Sequence, residues 1–371
     1  MPRTIPTTDE GLASGRLTVD LAAIRANWRL LAARAKPGET GAVVKADAYG
    51  LGADRVAPVL RAAGCRRFYV AQIEEGATLR SILPDADIVV LAPAMPDALA
   101  YARSHNLILT LNDGAALAHW RQDGGAVAAN LHVDTGMTRL GLDDMLAPAV
   151  WAGLSESERR MVDEVSSHLA CADDPEHPAN RDQLRRFRLA TAELPAEVRR
   201  SLANSSGMFL GSDYLQSGQR PGMALYGLNP TPGRANPMRP VVGLEVRILQ
   251  VRRLDRSATV GYGATATLPA GARFATIGAG YADGLHRSLT NSGSVFVGGQ
   301  RAPVVGRVSM DLIAIDVSAL SDQTLEANRM AEVIGPRQSA DDLADAAGTI
   351  GYEVLTSLGR RYRRTYLDDG P

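Results

Sequence analysis

The stretch AVVKADAYGLG, residues 42–52, places a lysine directly after a β-branched apolar run and shortly before a helical pattern at residues 54–63. An apolar run of strand length followed by helical periodicity predicts a strand–helix unit. In parallel sheets built from such units, ligands bind at the carboxyl ends of the strands. Lys45 is therefore predicted to lie at a ligand-binding edge.

The same alternation continues outward along the chain. Further apolar runs of strand length begin near residues 68, 88, 107, 128, 165, 202 and 224. Helical patterns follow several of them, at residues 74–83, 96–104 and 114–121. Eight units by residue 235 match the count of a (β/α)8 TIM-type barrel, whereas a doubly wound sheet, the alternative, more often stops at about five or six strands. We predict an α/β protein with an N-terminal barrel.

A Pro/Gly-rich segment, TPGRANPMRP at residues 231–240, separates this region from a strand-rich one. β-branched runs predict strands at residues 241–251, 274–279, 294–297, 304–310 and 312–317, followed by helices at 340–347 and 352–358 and a final basic strand. We predict a loose lead-in at 1–15, the barrel at 16–235 and a mostly antiparallel β domain at 241–371. The first strand, 16–19, has the alternative of pairing with the second domain.

Composition excludes several classes of protein. The 40 Lys and Arg residues against 41 Asp and Glu give a net charge of −1, so no net field attracts nucleic acid or an anionic membrane. The first 15 residues lack the apolar core of a secretory signal, and the apolar stretches are too short to span a bilayer, so we expect a cytoplasmic protein. Cys65 and Cys171 show neither a disulfide framework nor metal-ligand spacing, and no metal is expected.

Lysine usage points to Lys45. Lys36 and Lys45 are the only lysines among the 40 basic residues. The position of Lys45 alone would favour its interpretation as an ordinary surface lysine at the end of a strand. A chain that uses arginine almost everywhere but keeps a lysine there needs an amine that can lose its proton, which arginine cannot supply. Burial at a barrel mouth would lower the pKa of such an amine and make it a nucleophile.

Other predicted strand ends carry polar groups that suit an anion. They are the segment HVDTGMTR at 132–139, His168, the Asn-Ser-Ser-Gly turn at 204–207, and Arg220. Ser205 and the backbone N–H groups near Gly222 and Met223 form a cradle of the kind that barrels place near strands seven and eight. Each feature alone is ordinary; together they indicate a site for a phosphorylated aromatic cofactor.

Seven motifs, in order, resemble the signatures of the alanine racemase family. They are AVVKADAYGLG, HVDTGMTRLG, RPGMALYG, GYGAT, GYADG, GRVSMD and GYEVLTSLGRRYRR, spanning residues 40 to 365. The resemblance implies a fold-type III pyridoxal 5'-phosphate enzyme, an isomerase with a barrel and a C-terminal β domain. It also implies a homodimer with composite active sites that interconverts L-alanine and D-alanine for peptidoglycan precursors or for D-alanine breakdown.

The resemblance assigns two opposed bases. Lys45 resembles the lysine that binds the cofactor covalently and moves a proton on one face of the substrate. Tyr262 resembles the opposite base, which the family supplies from the partner subunit. Without the resemblance, Tyr262 would be interpreted as a strand aromatic between turn glycines. Racemisation needs removal of the Cα proton on one face of the substrate and return of a proton on the other face. A tyrosine with a pKa near 10 is a poor base, so cationic neighbours must lower its pKa.

The remaining roles also follow from the resemblance. Arg139 is similar to the arginine that orients the cofactor's phenolic oxygen and the substrate carboxylate. Arg220 resembles the arginine that faces the pyridine nitrogen, and His168 the histidine that links it towards the tyrosine. The phosphate-binding set would be Tyr49, Asn204, Ser205, Gly222, Met223 and Tyr352. Met310 and Asp311 would close the partner's substrate pocket, and Tyr281 would line its entrance.

His132 departs from the family pattern, because many relatives carry a lysine there, often carbamylated, that holds the arginine equivalent to Arg139. Histidine forms no stable carbamate. The sequence leaves open whether a chloride ion or Asp134 orients Arg139, and whether His132 only fills an interior layer of the barrel.

Three rival functions share the barrel. A broad-specificity or serine racemase would share nearly every motif, although Tyr352 with Met310 suggests a tight pocket suited to alanine. A basic-amino-acid decarboxylase would carry a cysteine in the C-terminal domain, where neither Cys65 nor Cys171 lies. A non-enzymatic pyridoxal-phosphate carrier would lack the second domain.

Overall fold

The computed structural model describes residues 13–95 and 97–368, and the chain divides within them into two units. One unit contains residues 23–239, and the other contains the described residues up to Ala22 together with those from Pro240 onward. The sequence analysis placed the start of the barrel at residue 16. It also gave the alternative that the strand at 16–19 pairs with the second domain, and the structure agrees with this alternative: β1 (Gly15–Asp20) pairs with strands of the second unit. Most of the predicted lead-in, residues 1–12, lies outside the described residues.

Ten parallel strands form the sheet of the barrel unit. They are β2 (Glu39–Thr40), β3 (Ala42–Val43), β4 (Arg67–Val70), β5 (Asp87–Pro93), β6 (Ile108–Leu111), β7 (Ala129–Asp134), β8 (Leu142–Asp143), β9 (Val162–Ser166), β10 (Arg199–Ser201) and β11 (Gly218–Gln219). All but β8 follow the order β2-β11-β10-β9-β7-β6-β5-β4-β3, and β8 pairs with β7.

The sheet closes into a ring. β2 and β3 are two halves of one extended stretch, and the N–H of Gly41 between them donates to Gln219 O at 3.0 Å. β2 pairs with β11 on one side and β3 pairs with β4 on the other, so the strand order returns to its start with eight strand positions. The predicted TIM-type barrel is confirmed.

Nine helices accompany these strands in the described residues. They are α1 (Leu21–Ala35), α2 (Lys45–Tyr49), α3 (Ala53–Ala63), α4 (Ile73–Ile82), α5 (Ala98–Ser104), α6 (Gly114–Gln122), α7 (Ala147–Ala152), α8 (Glu156–Met161) and α9 (Pro178–Ala190). Of these, α2 is a short left-handed turn and not a regular α-helix. In α1, the buried side chains of Leu21, Ile24, Leu31 and Ala35 recur at helical spacing and form its packed face. The segments of helical period predicted from the sequence thus correspond to helices of the barrel unit, namely α1, α3, α4, α5 and α6.

The strand predicted near residue 224 is wrong. Residues Met223–Tyr226 form a short 3-10 helix, and the last strand position of the ring is β11 instead. Pro221 has no N–H to donate to a ladder. The N–H groups of Gly222 and Ala224 bond to the Ser205 hydroxyl and not to a neighbouring strand.

The second unit contains the remaining described strands and helices. The strands are β12 (Val242–Arg253), β13 (Ala258–Val260), β14 (Ala266–Leu268), β15 (Arg273–Ile277), β16 (Ser294–Val297), β17 (Gln300–Pro303), β18 (Ile313–Asp316), β19 (Met330–Ile334) and β20 (Arg363–Leu367). The helices are α10 (Asp322–Ala327), α11 (Ala340–Ala347) and α12 (Gly351–Ser357). None of the helices in residues 13–95 and 97–368 is long and apolar enough to span a bilayer.

The main sheet of this unit runs β17-β16-β19-β12-β1-β20, and β15 joins the far half of β12 to β18. Its pairings are antiparallel except for the parallel pairing of β1 with β20, which confirms the predicted mostly antiparallel domain. β1 lies between β12 and β20, and this is why the start of the chain belongs here.

The strand predicted at residues 304–310 is wrong beyond its first two residues. Val304 forms an isolated antiparallel bridge with Ile315, and Val305 N–H donates to Ala314 O of β18 at 2.8 Å. The later backbone groups bond to side chains of a neighbouring turn: Gly306 N–H donates to Asn291 Oδ1 at 2.6 Å, and Val308 N–H donates to Thr290 Oγ1 at 3.2 Å. From residue 306 onward the segment is therefore a loop that leads into the Ser-Met-Asp motif.

Candidate functional site

Lys45 lies directly after β3, at the carboxyl end of a barrel strand. The N–H of Val44 donates to Tyr69 O at 2.9 Å, so strand pairing continues up to the residue before the lysine. Burial is the main cause that lowers the pKa of Lys45 below its ordinary value; the Arg139 guanidinium lowers it further, and the Glu75 carboxylate opposes the change. An amine with a lowered pKa is unprotonated more of the time near neutrality and can act as a nucleophile or base.

A left-handed turn follows Lys45. Residues 46–49 all have φ between 53° and 56°, and none of them is glycine. This conformation costs about 1–2 kcal/mol per non-glycine residue, so it persists only where the surroundings hold it. Within the turn, the Gly50 N–H donates to Ala46 O at 2.7 Å. The backbone beside the lysine is therefore constrained by its neighbours.

Asp134 organises the loop that carries Arg139. Its Oδ1 accepts hydrogen bonds from the N–H groups of Gly136 (2.9 Å), Met137 (2.9 Å) and Thr138 (3.1 Å). Three donors on one carboxylate oxygen fix the backbone immediately before Arg139. Asp134, one of the two candidates that the sequence left open for orienting Arg139, thus contacts the backbone of the segment that precedes this arginine.

His132 lies on β7 and contacts Asn112. The distance from His132 Nδ1 to Asn112 Oδ1 is 2.6 Å, and the backbone oxygen of Asn112 accepts from Gly141 N–H at 3.1 Å. Burial, followed by the charge of Arg220, lowers the pKa of His132 to about 4. The imidazole is therefore neutral near pH 7 and contributes no negative charge of the kind a carbamate would supply.

Arg220 is buried, and its guanidinium donates to Ser201 Oγ and to Ser167 O. These bonds fix the plane of the guanidinium. The pKa of His168 falls to about 3, first because of burial and then because of the charges of Arg220, Arg139, His132 and Lys45. The barrel thus places these predicted site residues close enough to share one electropositive environment.

An anion cradle lies between Ser205 and Tyr49. Ser205 Oγ accepts from Gly222 N–H at 2.9 Å and from Ala224 N–H at 3.2 Å, which leaves its own proton free to donate. A Cβ on Gly222 would collide with the Tyr49 hydroxyl oxygen, so only glycine lets the phenol approach the backbone here. Asn204 Oδ1 caps the adjoining turn by accepting from Gly207 N–H at 2.9 Å.

These donors suit a phosphate group. The hydroxyls of Ser205 and Tyr49 line the cradle beside the Gly222 backbone, and Lys45 and Arg220 supply an amine and a fixed cation in the same unit. The donor set therefore fits a phosphorylated aromatic aldehyde. Within the described residues, no cluster of three or more His, Cys, Asp or Glu side chains could hold a metal ion.

Tyr262 lies in the second unit, on a loop between β13 and β14, and 73% of its surface is exposed. Gly261 and Gly263 on either side have φ of 72° and 71°. The Arg307 guanidinium packs against Gly263, where a Cβ would lie 2.9 Å from its Cζ. Tyr262 and Arg307 also line a cavity of about 380 Å³ together with Ser309. The loop is thus shaped by tight backbone packing while the phenol remains accessible.

Arg361 joins two of the predicted motifs of this unit. This arginine contacts Asp283 through two bonds of 2.7 Å and Asp311 through a third of 2.7 Å. Tyr281 N–H donates to Ser309 O at 3.0 Å, which joins the Gly-Tyr-Ala-Asp-Gly motif to the Ser-Met-Asp motif. Met310 is 52% exposed, and Tyr352, on α12, is 38% exposed.

Sequence reasoning missed three residues that hold predicted site residues in place: Glu75 and Asn112 in the barrel unit, and Arg361 in the second unit. Glu75 is one of two acidic residues in the first turn of α4, a position that usually reflects helix capping alone. Asn112 follows β6, a strand end to which no role was given. Arg361 lies within a quoted motif, but its contacts with Asp283 and Asp311 depend on the tertiary fold.

Known proteins share this architecture over the whole chain. The family model "Alanine racemase, N-terminal domain" matches residues 19–230, and "Alanine racemase, C-terminal domain" matches residues 241–366. An alanine racemase of Rhodospirillum rubrum is 48% identical over 363 residues, covering 96% of this chain and 97% of the relative. A catabolic alanine racemase of Agrobacterium fabrum is 46% identical over 365 residues, covering 97% of this chain and 94% of the relative.

The structural comparison agrees. The crystal structure of alanine racemase from Bartonella henselae with covalently bound pyridoxal phosphate matches with a TM-score of 0.89 and 38% identity, covering 96% of this chain and 100% of that one. Barrel, second unit and site define a pyridoxal-phosphate-dependent racemase, a class of isomerase. The chain belongs to the alanine racemase family.

Proposed function

We propose that the protein interconverts L-alanine and D-alanine with pyridoxal phosphate bound covalently to Lys45. The observation that carries this proposal is the half-buried Lys45, whose amine has a lowered pKa, in the same unit as the cradle of Ser205, Gly222 and Tyr49. Bound there, pyridoxal phosphate would withdraw electrons and acidify the proton on the substrate Cα. Tyr49, Asn204, Ser205, Gly222, Met223 and Tyr352 are proposed to hold its phosphate.

Arg220 is proposed to face the pyridine nitrogen. Its bonds to Ser201 and Ser167 hold the guanidinium in one orientation. A guanidinium only donates hydrogen bonds, so it keeps a nitrogen opposite it unprotonated. A carboxylate there would favour the protonated nitrogen and electron delocalisation into the ring. Arginine therefore favours return of the proton to Cα, which is racemisation, over transamination.

Two bases are proposed to act on opposite faces of the substrate. The Lys45 amine holds or removes the Cα proton on one face, and the hydroxyl of Tyr262 of the partner subunit does so on the other. The lowered pKa of Lys45 supports its part, and the 73% exposure of Tyr262 leaves the phenol available to a second copy of the chain. Arg220 would supply the positive charge that a tyrosine base needs, and the neutral imidazole of His168 would link it towards the tyrosine. The active enzyme would then be a homodimer with two composite sites.

The remaining residues are proposed to recognise alanine. Arg139, on the loop fixed by Asp134, would bind the substrate carboxylate and the phenolic oxygen of the cofactor. Met310 and Asp311 of the partner would close the pocket, with Tyr281 at its entrance. Such an enzyme would supply or consume D-alanine for cell-wall metabolism in the cytoplasm.

Incubation of the purified protein with a panel of L-amino acids, followed by chiral analysis, tests the proposal. We expect D-alanine to form fastest and bulkier side chains to react far more slowly. Faster racemisation of serine, or similar rates across the panel, would instead identify a serine or broad-specificity racemase.

A further inference from the structure

Glu75 joins the start of α4 to the residue that follows Lys45. Its Oε1 accepts the Ala46 N–H at 2.6 Å. Its Oε2 accepts the N–H groups of Ala71 at 2.7 Å and Gln72 at 3.0 Å. One carboxylate therefore receives three backbone donors from two separate segments, and charge-assisted bonds of this kind are stronger than neutral ones.

The bond from Glu75 to the Ala46 N–H lies at the start of the left-handed turn. Ala46 begins the left-handed turn with φ of 53°, and the three residues after it share that conformation. A side-chain acceptor on α4 ties the first amide of this turn to a regular helix. Because the turn is intrinsically unfavourable, losing this bond would loosen the backbone beside Lys45.

Glu75 also bears on the Lys45 amine through its charge. The Arg139 guanidinium and burial make the amine less basic, and Glu75 is the carboxylate that opposes them. His168 shares this environment, and its depressed pKa keeps it neutral near pH 7. Among the charges named as acting on the Lys45 amine, Glu75 therefore supplies the negative one.

We propose that Glu75 is a positioning residue for Lys45. One of its oxygens fixes the amide of Ala46, the other anchors the carboxylate to the start of α4, and its negative charge acts on the amine. The proposal deepens the function given to Lys45 above and rests on it.

The two-lysine sequence permits a direct test on the full-length chain freed of cofactor. An acylating reagent is applied over a range of pH, and mass spectrometry compares Lys45 with Lys36, the internal reference. For Glu75→Gln we expect Lys45 to be labelled about threefold faster or more at pH 7, with its labelling midpoint moved to lower pH, because removing a nearby negative charge disfavours the ammonium form. Glu74→Gln, which changes the adjacent exposed carboxylate, should label like the wild type.

The variant Glu75→Asp separates the effect of the charge from the effect of the hydrogen bonds to the backbone. Glu75→Asp keeps the charge, but it is one methylene too short to reach both segments. We expect labelling close to that of the wild type, with severalfold faster hydrogen exchange of the segment 46–50. An unchanged Lys45 midpoint in Glu75→Gln, or one moved to higher pH as simple exposure would cause, overturns the proposal. Loss of racemase activity does not enter this readout, so failure of the proposed function would be seen separately, in the chiral assay.

Discussion

The hydroxyl of Tyr49 lies so close to the backbone of Gly222 that no side chain fits between them. Tyr49 ends the left-handed turn after Lys45, and Gly222 begins the segment bonded to Ser205. The contact joins the lysine and the anion cradle, which come from opposite ends of the barrel sequence. The geometry of the cradle therefore depends on Gly222 having no Cβ atom.

Replacing Gly222 with alanine tests this dependence. The added Cβ would push the Tyr49 hydroxyl away, so we expect affinity for pyridoxal phosphate to fall by about tenfold or more, an energy within the range of a lost hydrogen bond to a charged group. Absorbance titration of the cofactor-free chain measures the affinity. Gly114→Ala is the matched control, because nothing lies within 4 Å of its Cβ position. Equal affinity in the two variants would contradict the assignment of the cradle.

Lys45 is predicted to be the point of covalent attachment. Because the chain has only two lysines, borohydride reduction followed by mass spectrometry should locate the cofactor without ambiguity. We expect Lys45→Ala to abolish fixation of the cofactor and Lys36→Arg to leave it intact. Cofactor still fixed in Lys45→Ala would refute the role of this lysine.

Tyr262→Phe is predicted to separate the two proton transfers. The variant should bind the cofactor normally, while racemisation falls by about 10²–10⁴, the usual contribution of a general base. In deuterated solvent, exchange of the Cα proton should survive from one enantiomer only. Tyr101→Phe, in the barrel helix α5, is the control. Equal loss of exchange from both enantiomers would rule out opposed bases.

The lowered pKa values of two histidines predict how the free energy of unfolding depends on pH. His168 and His132 have native-state pKa values near 3 and 4, below the unfolded value of 6.5, so the unfolded chain binds more protons between these limits. The contribution of these two histidines to the free energy of unfolding should therefore be nearly constant above about pH 6.5 and fall as the pH drops below it. His168 alone should account for about 2 kcal/mol at pH 5.

Urea denaturation at a series of pH values measures this effect. We expect His168→Asn to show a shallower loss of stability between pH 6.5 and 4 than the wild type, whatever its stability at pH 7. His119→Asn, which changes an exposed histidine of α6, should follow the wild-type slope. Parallel curves for His168→Asn and the wild type would mean that His168 is not held neutral in the native protein.

The barrel and the position of Lys45 could be predicted because both depend on local signals. Alternating strand and helix periods identify the fold class, and a lysine kept at a strand end stands out in a chain with almost no lysine. The error near residue 224 had a local cause, since an apolar run was interpreted as a strand although Pro221 and the Ser205 hydroxyl withdraw its backbone donors from a ladder.

Other features needed tertiary information. Nothing in the sequence near Glu75 indicates that its carboxylate reaches Ala46, 29 residues earlier. In the same way, β1 has the pattern of a strand, but the pattern does not say which strands it joins. The contact of Arg361 with Asp283 and Asp311 likewise depends on a chain reversal across most of the second unit.

The insertion of β1 between β12 and β20 has a consequence for biosynthesis. Of the described strands, β1 is synthesised first and β20 (Arg363–Leu367) last. Both edges of β1 can therefore be paired only after β20 has been synthesised. The barrel segment can emerge and assemble during translation, but the sheet of the second unit can be completed only after synthesis has nearly finished. A nascent chain stalled before residue 363 would carry an open β edge.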